Sequence, residues 1–158
     1  MTTARDGRWV VAAGLTLVLA GAGRAADVKI ENYSNDTVYV SQADNRGAAV
    51  SHGWTAIKSN ETKTFKAADA LDLFIRVQDK NGNEITFQHH KKFLNFPTHT
   101  DRFSVSAEPD DAKVWVLKHG PKLEHTRNIN KGGALPAGWT SKRFFEIGTG
   151  SHKLEIKP

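Results

Sequence analysis

The chain of 158 residues contains no cysteine. That single absence excludes disulfides, thiolate catalysis and cysteine-ligated zinc, and it denies a lipobox its acceptor residue. After residue 26 no run is long and apolar enough to cross a bilayer, which takes about 20 residues. There is no G-x-S-x-G elbow, phosphate loop, dinucleotide fingerprint or H-E-x-x-H. No two histidines stand in the His-x-His spacing that would let one strand face chelate a metal. No window sustains a helical period either; “KAADALDLF” (66–74) comes nearest, and its apolar positions do not persist.

What is present begins with a leader. “MTTARDGR” is short and net positive, “WVVAAGLTLVLAGAG” (9–23) is apolar and uncharged, and Gly23 and Ala25 occupy the −3 and −1 positions of a cut after Ala25. This is the layout of a signal peptide, and the apolar run is shorter than a membrane anchor requires. The expectation is therefore a cleaved leader over residues 1–25 and a secreted or periplasmic product. Residues 26–158 have the length of a single domain. With Arg5, Arg8, Arg24 and Asp6 removed, 19 basic and 16 acidic residues remain, and the charge is uneven: residues 113–158 hold nine basic and three acidic groups. A basic third attracts anionic partners. The small net charge, the compartment and the lack of a nucleic-acid motif argue against nucleic acid.

The rest of the chain reads as short alternating or β-branched runs separated by turn clusters such as “KSNE”, “KNGN” and “GTGS”. Strands are expected near 27–33, 37–43, 53–57, 62–67, 71–79, 84–93, 102–107, 113–119, 143–148 and 153–157. About eight to ten short strands predict an all-β fold, a single antiparallel β-sandwich or a partly open barrel. One hairpin can be registered. If Asn81-Gly82 alone formed the loop after “DLFIRVQD”, Val77 would face Thr86 and Asp79 would face Glu84. A three-residue loop, Lys80-Asn81-Gly82 with Gly82 left-handed, instead sets Val77 against Ile85 and Ile75 against Phe87. Burial selects the second register. “DKNGNE” does not fit a calcium loop, because its glycine comes too early. Gly-Trp-Thr occurs at 53–55 and 138–140 without matching flanks. “SHGWTAIKSNETKTF” (51–65) resembles small secreted bacterial domains in which Gly-Trp precedes a strand, a turn and a strand; the likeness implies no activity. Trp54 is expected in the core near Ile57 and Phe65.

The histidines “FQHHKKFLNFPTH” (87–99) invite a chemical reading. Adjacent strand residues point to opposite faces, so His89 is expected at the core edge and His90 in solvent, with Lys91 and Lys92 repelling a cation. No metal and no cofactor are predicted. The segment 119–143, “HGPKLEHTRNINKGGALPAGWTSKR”, shows no strand pattern and reads as a long basic loop over about 120–142, a kind of segment that is usually functional or disordered. Lys122, Arg127, Lys131, Trp139, Lys142 and Arg143 form the candidate binding surface. Trp139 either stacks on a ligand there or plugs the sandwich edge. The leading expectation is an exported, non-catalytic binding module. It would engage an envelope or extracellular protein, or an anionic or glycan polymer, through the basic C-terminal third. The alternative is a small hydrolase or metal enzyme using His89, His99 or His119.

Overall fold

In “DVKIEN” Val28 and Ile30 share one face and Lys29 takes the other, and the segment extends as the first strand, with both aliphatic side chains fully buried and Lys29 in solvent. The computed structural model describes residues 26–45, 49–67, 72–87, 92–108, 111–148 and 150–158. The leader, His89 and His90 lie outside these. Among the described residues there are twelve strands and no helix: β1 Asp27–Asn32, β2 Val38–Asn45, β3 Ala49–His52, β4 Thr55–Ile57, β5 Thr62–Lys66, β6 Leu73–Gln78, β7 Phe93–His99, β8 Phe103–Glu108, β9 Asp111–His119, β10 His125–Asn130, β11 Trp139–Gly148 and β12 Ser151–Ile156. Absence of a helix also means that none among the described residues is long and apolar enough to cross a membrane.

The strands form two sheets. The small one has the order β12-β1-β5, with the first and last strands of the chain pairing in parallel from Asp27↔Ser151 to Asn32↔Ile156. The large sheet runs β10-β9-β8-β3-β2-β6-β11-β7, with β4 also paired to β2, and its ladders are antiparallel. Val28, Ile30 and Phe65 of the small sheet pack with Val38, Val40, Ile57, Ile75 and Val77 of the large one, which is the sandwich core. β6 is buried on both faces: Leu73, Ile75 and Val77 enter this core, while Phe74 turns the other way onto Phe96 and Phe144. On that second side the large sheet curls. Phe96 of β7 meets Trp115 of β9 edge to face at 6.1 Å, so strands near opposite edges touch through side chains, and among the described residues no ladder closes the curl into a barrel. The all-β sandwich is the architecture expected; the curl of the large sheet and the parallel β1–β12 pair, in a fold read as antiparallel, are what the structure adds.

The registered hairpin also holds. Ile85 N–H donates to the Val77 carbonyl at 2.9 Å, Gln78 bridges Glu84, and Gly82 has φ +82°. The Asp79 carboxylate organises the turn by accepting the backbone N–H groups of Asn81 and Asn83 at 2.8 and 2.9 Å, an Asx turn. Beyond Glu84 the expected strand over 84–93 does not run continuously: residues 85–87 lie outside any named strand, and β7 begins at Phe93, paired with β11.

The long basic loop is corrected. His125–Asn130 is β10, paired with β9 from His125↔His119 to Asn130↔Val114, and Trp139 already opens β11. β10 is an edge strand exposed on nearly every side chain, so it has no buried face to impose alternation on its sequence. What stays irregular is the β9–β10 turn, where Gly120 and Leu123 have positive φ, and residues 131–138.

Candidate functional site

The six residues expected to form a contact surface have different surroundings. Lys122 is exposed in the β9–β10 turn and Arg127 is exposed on β10. Lys131 lies 4.3 Å above the Trp115 ring, a cation–π contact that covers a core aromatic. Trp139 is 6% exposed, its indole edge-on to Phe103, with Leu135 packed on the same cluster. Its aromatic surface is spent inside the curl, where it packs as a plug. Arg143 is held by Glu84, its Nη2 donating to Oε1 at 2.6 Å, and lies about 5 Å from the rings of Phe93 and Phe145. Lys142 is the one of the six that lines the cleft formed at this end of the large sheet.

The cleft has a volume of about 490 Å³, within the range typical of ligand pockets. It opens between the turn after β6, the approach to β4, the end of β7 and the start of β11, and Trp54, Gln78, Asn81, Thr100, Thr140 and Lys142 line it. Each wall has a local cause. The left-handed Gly82, φ +82°, brings the turn up to β11, within ordinary contact distance of the Lys142 ammonium. Trp54, expected in the core beside Ile57 and Phe65, belongs instead to the Phe103 cluster, 6.0 Å from that ring. Its indole N–H donates to the His99 carbonyl at 2.9 Å, which fixes the half-buried ring at the cleft wall.

The electrostatics of the cleft are unbalanced. Lys142 Nζ donates to Gln78 Oε1 at 2.8 Å and sits 5.5 Å over the Trp54 ring. Among the described residues no carboxylate pairs with it. Burial, and then the nearby Arg76 guanidinium, push its pKa below the ordinary lysine value. Arg76, 7% exposed, sends its Nε to the same Gln78 oxygen at 3.3 Å, while its Nη1 donates to Glu84 Oε2 at 2.7 Å. Burial raises the Glu84 pKa, but Arg143 and Arg76 together outweigh it and hold the carboxyl below its usual range. Arg76 and Arg143 therefore share one carboxylate, while Lys142 and Arg76 converge on a neutral amide oxygen. Of the other charges lining the cleft, Asp79 is committed to its turn and Lys80 reaches Asp36 at 3.3 Å.

The histidines that come together are not those clustered in sequence. His99 of β7, His119 of β9 and His125 of β10 stack in a file, with ring centroids 4.5 and 4.9 Å apart and tilts of 31° and 33°. The Trp139 indole stands edge-on to the first two, at 5.2 and 5.9 Å. His99 Nδ1 accepts the Asp101 N–H at 3.1 Å, which puts the proton of the neutral ring on Nε2. Burial and the neighbouring His119 lower its pKa, partly opposed by Asp101. Among the described residues no group of three or more His, Asp or Glu side chains is placed to hold a metal ion.

Comparison with protein-family models, curated proteins and solved structures finds no match for this chain.

Proposed function

We propose that the protein is an exported, non-catalytic binding module that takes an anionic ligand, carried by a glycan polymer or a protein surface outside the cytoplasm. The observation that carries this reading is the Lys142 ammonium: partly buried in a ligand-sized cleft, beside a second cation, and facing a neutral amide where a counter-ion is wanted. An incoming oxyanion supplies that counter-ion, and charge-assisted hydrogen bonds are the stronger kind. The basic C-terminal third steers such ligands to the cleft and contributes Lys142 to its wall. The leader-like segment over 1–25 supports export.

Retention on immobilised anionic polymers (a carboxylated glycan, a sulfated glycan and poly-glutamate) tests it. The protein should be retained on at least one, less so as salt rises, and Lys142→Met should elute early. Equal retention of Lys142→Met and wild type on every matrix rejects the reading.

A further inference from the structure

We infer that the ligand of this cleft is a carboxylated sugar residue, a uronate unit of an acidic glycan. The inference rests on the anion-binding reading above and narrows it to one chemical class.

Charge comes first. Among the described residues the site offers one cation without a carboxylate partner, Lys142, because Arg143 is engaged by Glu84 and Lys80 by Asp36. The carboxylate of Asp79 also lines the cleft, with its oxygens turned to Asn81 and Asn83. A ligand with densely spaced charges, such as an acidic peptide or a heavily sulfated chain, would bring several anions to one ammonium and a fixed carboxylate. A uronate brings one charge per ring. The neutral lining fits the rest of such a ring. Tyr39, Asn81, Thr100 and Thr140 line the walls with side chains whose hydroxyls and amide both donate and accept, as sugar hydroxyls do, and the Thr140 hydroxyl also meets that of Thr98 at 3.3 Å.

Shape gives the second, separate reason. Trp54 is clamped by its N–H bond to His99 and by Phe103 at its edge, so the indole is already ordered before a ligand arrives. A rigid aromatic wall suits the flat C–H face of a pyranose and loses little entropy on binding. Lys142 Nζ lies over that ring, 5.5 Å from its centre, so a sugar that rests against the indole brings its carboxylate to the ammonium. Uronates carry those two features on adjacent atoms.

The test is calorimetric titration of the full-length protein with trigalacturonate, the neutral trisaccharide of galactose, and a tri-glutamate peptide, using wild type, Lys142→Met and Trp54→Leu. Thermal melts identify any variant that has not folded, and comparison of the three ligands on wild type alone keeps the inference testable. Trigalacturonate is expected to bind about tenfold or more tighter than either other ligand. Lys142→Met should weaken it about tenfold to a hundredfold, and Trp54→Leu about fivefold. If the neutral trisaccharide binds equally well, the carboxylate plays no part and the inference fails. If tri-glutamate binds as tightly and is lost in Lys142→Met, the sugar assignment fails while the anion reading stands. If none of the three binds, yet the polymer retention still depends on Lys142, the sugar assignment again fails alone. Loss of Lys142-dependent retention on every polymer removes both.

Discussion

Replacing Trp139 by alanine separates a plug from a contact residue in one measurement. The indole is 6% exposed, and its neighbours are His99 at 5.2 Å and Phe103 and His119 at 5.9 Å between ring centres. An aromatic side chain buries about 150–250 Å². At about 25 cal/mol per Å² that amounts to about 4–6 kcal/mol as an upper figure. Large-to-alanine changes at buried Phe and Trp cost about 3–5 kcal/mol, and the open edge of the curl lets neighbours relax toward the lower half of that range. Against a total of about 5–15 kcal/mol for a domain, this is a large fraction. For a chain of this size it corresponds to a fall in Tm of about 6–16 °C. Urea denaturation followed by far-UV circular dichroism reads the change directly. Trp139→Phe, which keeps a ring, should lose less than half as much. The trigalacturonate affinity of the folded fraction should be unchanged, because Trp139 does not line the cleft. A loss under about 1 kcal/mol in Trp139→Ala, the scale of a surface substitution, would refute the plug.

Two further outcomes follow from the same end of the curl. Gly138 has φ +84° and an added Cβ would lie 2.6 Å from His99 Nε2, so Gly138→Ala combines backbone strain with a clash against a buried ring; a loss of about 2–4 kcal/mol in the same denaturation assay is expected. His99 has a folded pKa below its unfolded value, so its neutral form is favoured by the fold. Its contribution is complete above the unfolded pKa near 6.5 and is lost as pH falls from there through the lowered folded value. Tm should therefore drop on acidification below about pH 6.5, and His99→Gln should flatten that slope whatever it does to stability at pH 8.

Some of this was legible in the residues. The Lys80-Asn81-Gly82 loop could be registered because only one pairing keeps Val77, Ile75 and their partners on a buried face, and Gly82 supplied the conformation that loop needs. The all-β class followed from alternation repeated along most of the chain. β10 was hidden because an edge strand wet on both faces carries no period. The parallel pairing of β1 with β12 joins the two ends of the domain, and no local pattern signals a partner more than a hundred residues away. Trp54 was assigned to the core by its sequence neighbours, yet it lies against Phe103, a strand-order consequence. The histidine file links His99 to His119 and His125, whereas proximity along the chain had grouped it with His89 and His90. The cleft shows the same limit. Gln78 and Lys142 are 64 positions apart, and the cation excess between them exists only once β6 and β11 share a sheet.

The Gln78 side chain carries a final consequence. Its oxygen already receives hydrogens from Lys142 and Arg76, so the amide cannot turn over, and its nitrogen is the end left with protons to offer. Exchanging that nitrogen for oxygen, as Gln78→Glu does, would furnish an internal anion midway between the two cations. The receptor would then be occupied by its own wall. Openness to outside ligands here depends on the identity of one atom.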